Sequence, residues 1–331
     1  MTVAPPPGYC QLAVTVSLGK TGLAVSRIGL GLAALGRPGY INLCHAADLA
    51  GETDVEAMRA HAHAVLDAAL HAGVRYFDVA RSYGLAEEFL GSWLAARALG
   101  RGDVTVGSKW GYTYTAGWRV DAEVNEVKDL SIETLHRQEG ESHALLGDTL
   151  ALYQIHSATI ESGVFDDAAV LDELARLRAG GLRIGFTSTG PRQSETIERA
   201  VATGRFDAVQ ATFNLLDRSA GPALAAARAA GLGVIVKEAV ANGRLTGRGD
   251  VPQLIETAAR EQVTPDALAL AFVLAQPWVD VALSGASTAP MLLANLVALD
   301  LPLDEAVLER LSGVAESPDE YWQRRAALPW N

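Results

Sequence analysis

Four polar residues stand at or just beyond the downstream ends of apolar runs. Asp78 closes Tyr76-Phe77-Asp78, and Tyr83 follows in Asp78-Val79-Ala80-Arg81-Ser82-Tyr83-Gly84. Lys109 ends Val104-Thr105-Val106-Gly107-Ser108-Lys109, and His156 ends Leu152-Tyr153-Gln154-Ile155-His156. Taken singly, each has an ordinary explanation: an aspartate after a strand caps or turns, a loop tyrosine packs, a lysine at a strand end is solvated, a lone histidine is a hydrogen-bonded core residue. Together they are the parts needed to protonate a carbonyl oxygen while hydride reaches its carbon. A phenol titrates near 10, and lowering that by about 3 units takes about 4 kcal/mol. One cation at about 4 Å supplies roughly that amount at an effective dielectric of about 20. Lys109 is the candidate cation, Asp78 its counter-charge, and His156 the group that orients the carbonyl oxygen. No side chain provides hydride, so a cofactor is required.

Residues this far apart meet only if the chain brings one end of several strands together. Strand-like runs recur at residues 28–33, 75–80, 104–109, 150–156, 183–187, 208–213, 233–238 and 279–284, which makes eight. Helical runs separate them at 55–71, 86–99, 131–146, 168–179, 194–202, 221–230, 251–276 and 289–298, the seventh interrupted near Thr264-Pro265, an N-cap followed by proline at the first helical position. Val234-Ile235-Val236 is apolar throughout, as parallel strands covered on both faces are. Eight strand–helix units predict a (β/α)8 TIM barrel filling residues 1–331 as a single domain. A β-hairpin over residues 11–25, around Gly19-Lys20-Thr21-Gly22, precedes it. In such a barrel chemistry sits at the carboxyl ends of the strands, and long loops are expected on that rim at 35–53, 111–130 and in the tail 316–331. Their aromatic residues, Tyr112, Tyr114, Trp118, Tyr321, Trp322 and Trp330, are either walls for a ligand or packing for the loops. An open doubly wound sheet is the runner-up fold, but Gly29-Leu30-Gly31 lacks a third phosphate-binding glycine and Gly231-Leu232-Gly233 precedes its strand.

Composition narrows the function classes. Hydrophobic residues make up 49% and charged residues 20% of the 331, a globular balance. The net charge of −12 argues against a nucleic-acid partner, which calls for a basic surface. Cys10 and Cys44 are the two cysteines, too few for a disulfide framework, and a reduced, cytoplasmic setting is expected. The start MTVAPPPGYC has no signal-peptide pattern, and no apolar run reaches the roughly 18 residues of a membrane span. No metal site is expected: His61 and His63 are two apart on a helix and diverge, and no Cys/His cluster has zinc spacing. Gly-x-Ser-x-Gly is absent, and Ser108 lies within a strand.

The Asp78, Tyr83, Lys109 and His156 segments resemble the tetrad of the aldo-keto reductases. Leu18-Gly19-Lys20-Thr21-Gly22-Leu23, Ser26-Arg27-Ile28-Gly29-Leu30-Gly31 and Val209-Gln210-Ala211-Thr212-Phe213-Asn214-Leu215-Leu216 also resemble family segments, in order, from about residue 18 to about residue 314. The resemblance implies a (β/α)8 barrel, a nicotinamide cofactor that is usually NADP(H), and a small-molecule aldehyde or ketone substrate. It implies that Gln210, with Thr187 and Ser188, holds the nicotinamide carboxamide, that Asn295 meets adenine, and that Ser284, Gly285 and Ser287 belong to the loop under the adenosine phosphate. Lys237 stands where many members place a tyrosine that stacks on the nicotinamide; it either meets the cofactor or pairs with Glu238. Met291 stands where NADPH-selective members often have arginine, so NAD(H) is the alternative, unless Arg192, Arg244 or Arg248 brings charge from a neighbouring loop. Two rival functions fit the same residues: an NAD-dependent sugar or alcohol dehydrogenase, and a cofactor-binding redox sensor with little turnover. Oligomeric state is not legible.

Overall fold

The computed structural model describes residues 15–331. Cys10 and the first four residues of the expected hairpin lie outside the described residues. Eight parallel strands close into a barrel: β1 (Ile28–Gly31), β2 (Tyr76–Asp78), β3 (Thr105–Trp110), β4 (Leu150–Ala158), β5 (Arg183–Ser188), β6 (Ala208–Thr212), β7 (Gly233–Lys237) and β8 (Val281–Ser284). Each pairs in parallel with its sequence neighbour, and β8 pairs with β1, so no strand edge is left open. The fold is the predicted (β/α)8 TIM barrel.

Alternation along the strands sends side chains to two different cores. Tyr76, Leu152, Ala208, Ile235, Val281 and Leu283 fill the interior with Leu18 and Val25 from the hairpin. Phe77, Val106, Tyr153 and Phe186 point outward beneath the helices. The hairpin itself, Thr15–Ser17 paired antiparallel with Ala24–Ser26, plugs the amino end of the barrel. Its Gly19 N–H donates to Asp280 Oδ2 at 3.1 Å and Lys20 N–H to the Gly231 carbonyl at 2.9 Å. Among the described residues the hairpin therefore closes the amino end of the interior, opposite the mouth.

Helix bounds follow the caps. Asp54 accepts from the Ala57 N–H at 3.0 Å and starts Val55–His71, while Thr264 accepts from the Ala267 N–H at 3.3 Å and starts Pro265–Leu274 after Pro252–Arg260 has ended. The break expected in the seventh helical run is therefore real. Three stretches hold more order than their sequences disclosed. Within residues 111–130 lies a second hairpin, Tyr112–Tyr114 with Glu126–Lys128. Residues 35–53 contain the short helix His45–Asp48, and the tail contains Pro318–Ala326, opened by a Ser317–Glu320 capping box. The helix Glu305–Arg310 also lacked a sequence expectation.

Candidate active site

The two-residue period of the strands aims the chemistry inward. In β2, Tyr76 and Asp78 face the interior while Phe77 packs outward; in β3, Ser108 turns out to Glu87 and Lys109 turns in. Tyr83 sits on the loop after β2, set by a close backbone approach. A Cβ on Gly36 would lie 2.3 Å from the Tyr83 carbonyl, and one on Gly84 (φ +60°) would lie 2.3 Å from the Gly36 carbonyl. Only glycines let these two loops touch. His156 precedes a bulge in β4, where Ser157 adopts φ +53° and its N–H donates to Thr187 Oγ1 at 2.6 Å.

The four expected residues meet at the open mouth. Lys109 Nζ donates to Asp78 Oδ1, to the Val79 carbonyl at 3.1 Å and to Tyr83 Oη at 3.3 Å. Lys109 is 1% exposed and Asp78 2%. Asp78 also accepts from Tyr76 Oη at 3.2 Å and Gln210 Nε2 at 2.8 Å. The Tyr83 and His156 rings stand edge to face at 5.6 Å, and Tyr112 packs on His156 from the other side at 5.0 Å. Asp78, Tyr83 and His156 line a cavity of about 360 Å³ together with Gln210 and Lys237.

Burial pushes the Tyr83 hydroxyl well above its ordinary range, with Asp78 adding to it and Arg37 opposing. A lone Lys109 ammonium was expected to lower it, but burial is the largest influence and the Asp78 carboxylate acts in the same upward direction. His156 is driven well below its usual value, first by burial and then by Lys109, and is a neutral imidazole whose Nδ1 is buried without a partner.

The sequence model described as the Aldo/keto reductase family matches residues 27–316. This chain belongs to the aldo/keto reductase family. The family's members are oxidoreductases acting on carbonyl groups. Similar proteins include an NADH-specific methylglyoxal reductase of Escherichia coli, 27% identical over 91% of this chain and 98% of the relative, and an uncharacterized oxidoreductase of Bacillus subtilis, 26% identical over 92% and 98%. An aldo-keto reductase of Bacillus halodurans, solved in its holo form, superimposes with a TM-score of 0.70 at 24% identity, covering 92% of this chain and 96% of that one, a likeness of fold.

The expected cofactor residues of this aldo-keto reductase fall into two groups. Gln210 and Lys237 line the mouth cavity, as do Ser284 and Gly285. Thr187 and Ser188 are fully buried outside that lining; Thr187 is engaged by Ser157, whereas Ser188 Oγ has no partner. Gly285 and Asn295 line an adjoining cavity of about 390 Å³. Asn295 Nδ2 donates to Ser284 Oγ at 2.9 Å, and its Oδ1 is buried and unpartnered. The two cavities share Asn42, Val240 and Gly285, and the buried orphan acceptor of Asn295 lines the second, so a polar, elongated ligand such as a dinucleotide fits them.

Lys237 does pair with Glu238, at 3.7 Å, and donates to Thr212 Oγ1 at 2.7 Å. Burial lowers its ammonium to about 8 against the pull of Glu238. The aromatic residues divide between the two expected positions: Trp330 lines the mouth, while Tyr321 and Trp322 form the buried side of the rim helix Pro318–Ala326.

Sequence reasoning missed a second set of charges. Arg37 is 2% exposed, its guanidinium lying 4.9, 5.4 and 4.6 Å from the ring centres of Tyr40, Tyr83 and Trp330, with Nη1 donating to Glu126 at 3.1 Å. Arg325, on the rim helix, grips Glu238 with Nε at 2.9 Å and Nη2 at 2.6 Å. The Ser317–Glu320 capping pattern was the available signal for that helix; nothing local marked Arg37. Burial pushes Glu238 up, but Arg325 and Lys237 overcome it and hold the carboxyl at about 2, against an ordinary 4.5. The pair therefore stabilises the fold fully above pH 4.5, and this is lost as pH falls from 4.5 to 2, by as much as about 3 kcal/mol. Denaturant unfolding at pH 5 and pH 2.5 is expected to show a shallower acid loss in Glu238→Gln; an identical loss would contradict the pairing.

Proposed function

We propose that this chain reduces an aldehyde or ketone to an alcohol, with Tyr83 as proton donor and a nicotinamide dinucleotide as reductant. The observation that carries the reading is one ammonium touching both a buried carboxylate and the Tyr83 hydroxyl at the mouth of a barrel. When bound, the nicotinamide supplies hydride to the carbonyl carbon. The protein's own part concerns the oxygen. A carbonyl admitted to the mouth faces Tyr83 and His156, and the neutral imidazole orients it by donating one hydrogen bond. A phenol held above its ordinary range stays protonated across neutral pH, so its proton leaves only as the phenolate is stabilised by a neighbouring charge. As Tyr83 releases its proton to the carbonyl oxygen, negative charge grows on Oη, and the ammonium at 3.3 Å is already in place to stabilise it. Asp78 holds that ammonium in place. Solvent then restores the phenol.

Gln210 and Ser188, with Thr187 behind them, would hold the nicotinamide amide, Lys237 would stand beside it, and Ser284, Gly285, Ser287 and Asn295 would hold the adenosine end. Family habit favours NADP(H); NAD(H) fits the same residues, and one relative is named for NADH specificity. Run in reverse, the same groups would oxidise an alcohol. The redox-sensor alternative gives no reason to place Lys109 against Tyr83. No helix among the described residues is long and apolar enough to cross a membrane, and a small-molecule substrate met in the cytoplasm is part of this reading. Absorbance loss from NADH or NADPH on adding a panel of simple aldehydes is the expected result; no oxidation with any of them would remove the proposal.

A further inference from the structure

Both candidate cofactors need the same nicotinamide site, and they differ by one phosphate at the far end of the groove. The adjoining cavity shares Asn42, Val240 and Gly285 with the mouth and ends among Asp48, Arg248, Met291 and Asn295. A phosphate there would call for a free cation. All three arginines that sequence considerations offered are committed to carboxylates. Arg192 binds Glu195 at 2.5 Å and Glu161 at 2.7 Å. Arg244 is held by Asp250 at 3.1 Å and Glu316 at 2.7 Å. Arg248, the one of the three that reaches the cavity, pairs with Asp48 at 2.7 Å.

Asp48 is the informative residue. Its side chain is 7% exposed, and it accepts from Ser287 Oγ at 2.8 Å, while His61 Nε2 donates to the Ser287 carbonyl at 2.5 Å. The short helix His45–Asp48 and the helix Val55–His71 thus pin the loop after β8 from two sides. Asp266 also lines this cavity, so two carboxylates face a single arginine there. A carboxylate accepts hydrogen bonds from a ribose hydroxyl and repels a phosphate in its place.

We infer that Asp48 makes this groove selective for a dinucleotide with a free adenosine ribose, NAD(H), over its 2′-phosphorylated counterpart. The inference rests on the reductase reading for the presence of a dinucleotide. Its chemistry is local: a phosphate would have to displace Arg248 from Asp48, leaving a nearly buried carboxylate beside a dianion.

The test is binding without substrate, measured by quenching of protein fluorescence with NADH and with NADPH at fixed ionic strength. The wild-type protein is expected to bind NADH at least about tenfold more tightly, a conservative figure for one uncompensated like charge a few ångström away. Asp48→Asn, which frees Arg248, is expected to shrink that ratio about tenfold by tightening NADPH. Met291→Arg, which keeps the Asp48 carboxylate but adds a cation beside Ser287, is expected to shrink it as well and covers the case in which the first variant does not fold. NADPH binding as tight as NADH in the wild type, or a ratio unmoved by a folded Asp48→Asn, would overturn the inference; where that variant does not fold, a ratio unmoved by Met291→Arg would do so. Binding of neither dinucleotide would overturn it together with the reductase reading. Preferential NADH binding with no aldehyde reduced would support it and remove that reading alone.

Discussion

Tyr83→Phe is expected to cut carbonyl reduction at least about a hundredfold, or about 2.7 kcal/mol of transition-state stabilisation, while dinucleotide binding is retained. The substitution deletes one oxygen. The ring keeps its place against Arg37 at 5.4 Å and His156 at 5.6 Å, so the mouth keeps its shape. Lys109 keeps Asp78 and the Val79 carbonyl, so no buried charge is orphaned. Folding stability should therefore change by only about 1 kcal/mol, the net worth of one hydrogen bond. What disappears is the proton on the proposed donor. Single-turnover measurements at saturating cofactor separate this from a binding defect, because the loss should lie in the chemical step. A variant that turns substrate over at the wild-type rate would show that the proton comes from elsewhere.

Lys109→Met is expected to damage stability and activity together. Asp78 would remain as a carboxylate with only Tyr76 and Gln210 to hydrogen-bond it, in a position 2% exposed. Removing one member of a buried pair costs about 3–5 kcal/mol, because the surviving charge is uncompensated. The rate should fall about a hundredfold or more, as for other groups that stabilise growing charge. The double variant Asp78→Asn/Lys109→Met distinguishes the two effects. It removes both charges, so chemical denaturation should show most of the stability restored, while reduction stays slow. Restored activity in the double variant would show that the ammonium is dispensable, and a single variant as stable as wild type would show that the carboxylate is not stranded.

The two predictions differ in how visible their grounds were in the chain. Asp78 and Lys109 could be assigned to one rim because each stands at the downstream end of its strand-like run; that Phe77 and Ser108 face out beside them came from the structure. The burial of Tyr83 and its closeness to the Asp78 carboxylate could not be foreseen, because both depend on contacts between segments. They are why the phenol of Tyr83 moves up where a lone neighbouring cation would have moved it down. Arg37 shows the same limit more strongly. It lies in a glycine- and proline-flanked loop with no pattern around it, yet it is enclosed by Tyr40, Tyr83, Glu126 and Trp330, residues scattered along most of the chain.

The eight strands, the helices between them and the rim on which Asp78, Tyr83, Lys109 and His156 stand could be read from the order of residues. Periodicity, caps and apolar runs are local properties, and several helix bounds, such as Val55–His71 and Ala168–Ala179, follow from them directly. Tertiary structure alone decided how the three rim segments fold over the mouth, which arginines are already spent on carboxylates, and that Asp48 reaches Ser287 across most of the chain's length. Ion pairing and desolvation depend on distance in space, and the order of residues along a chain does not encode that distance until the barrel has closed.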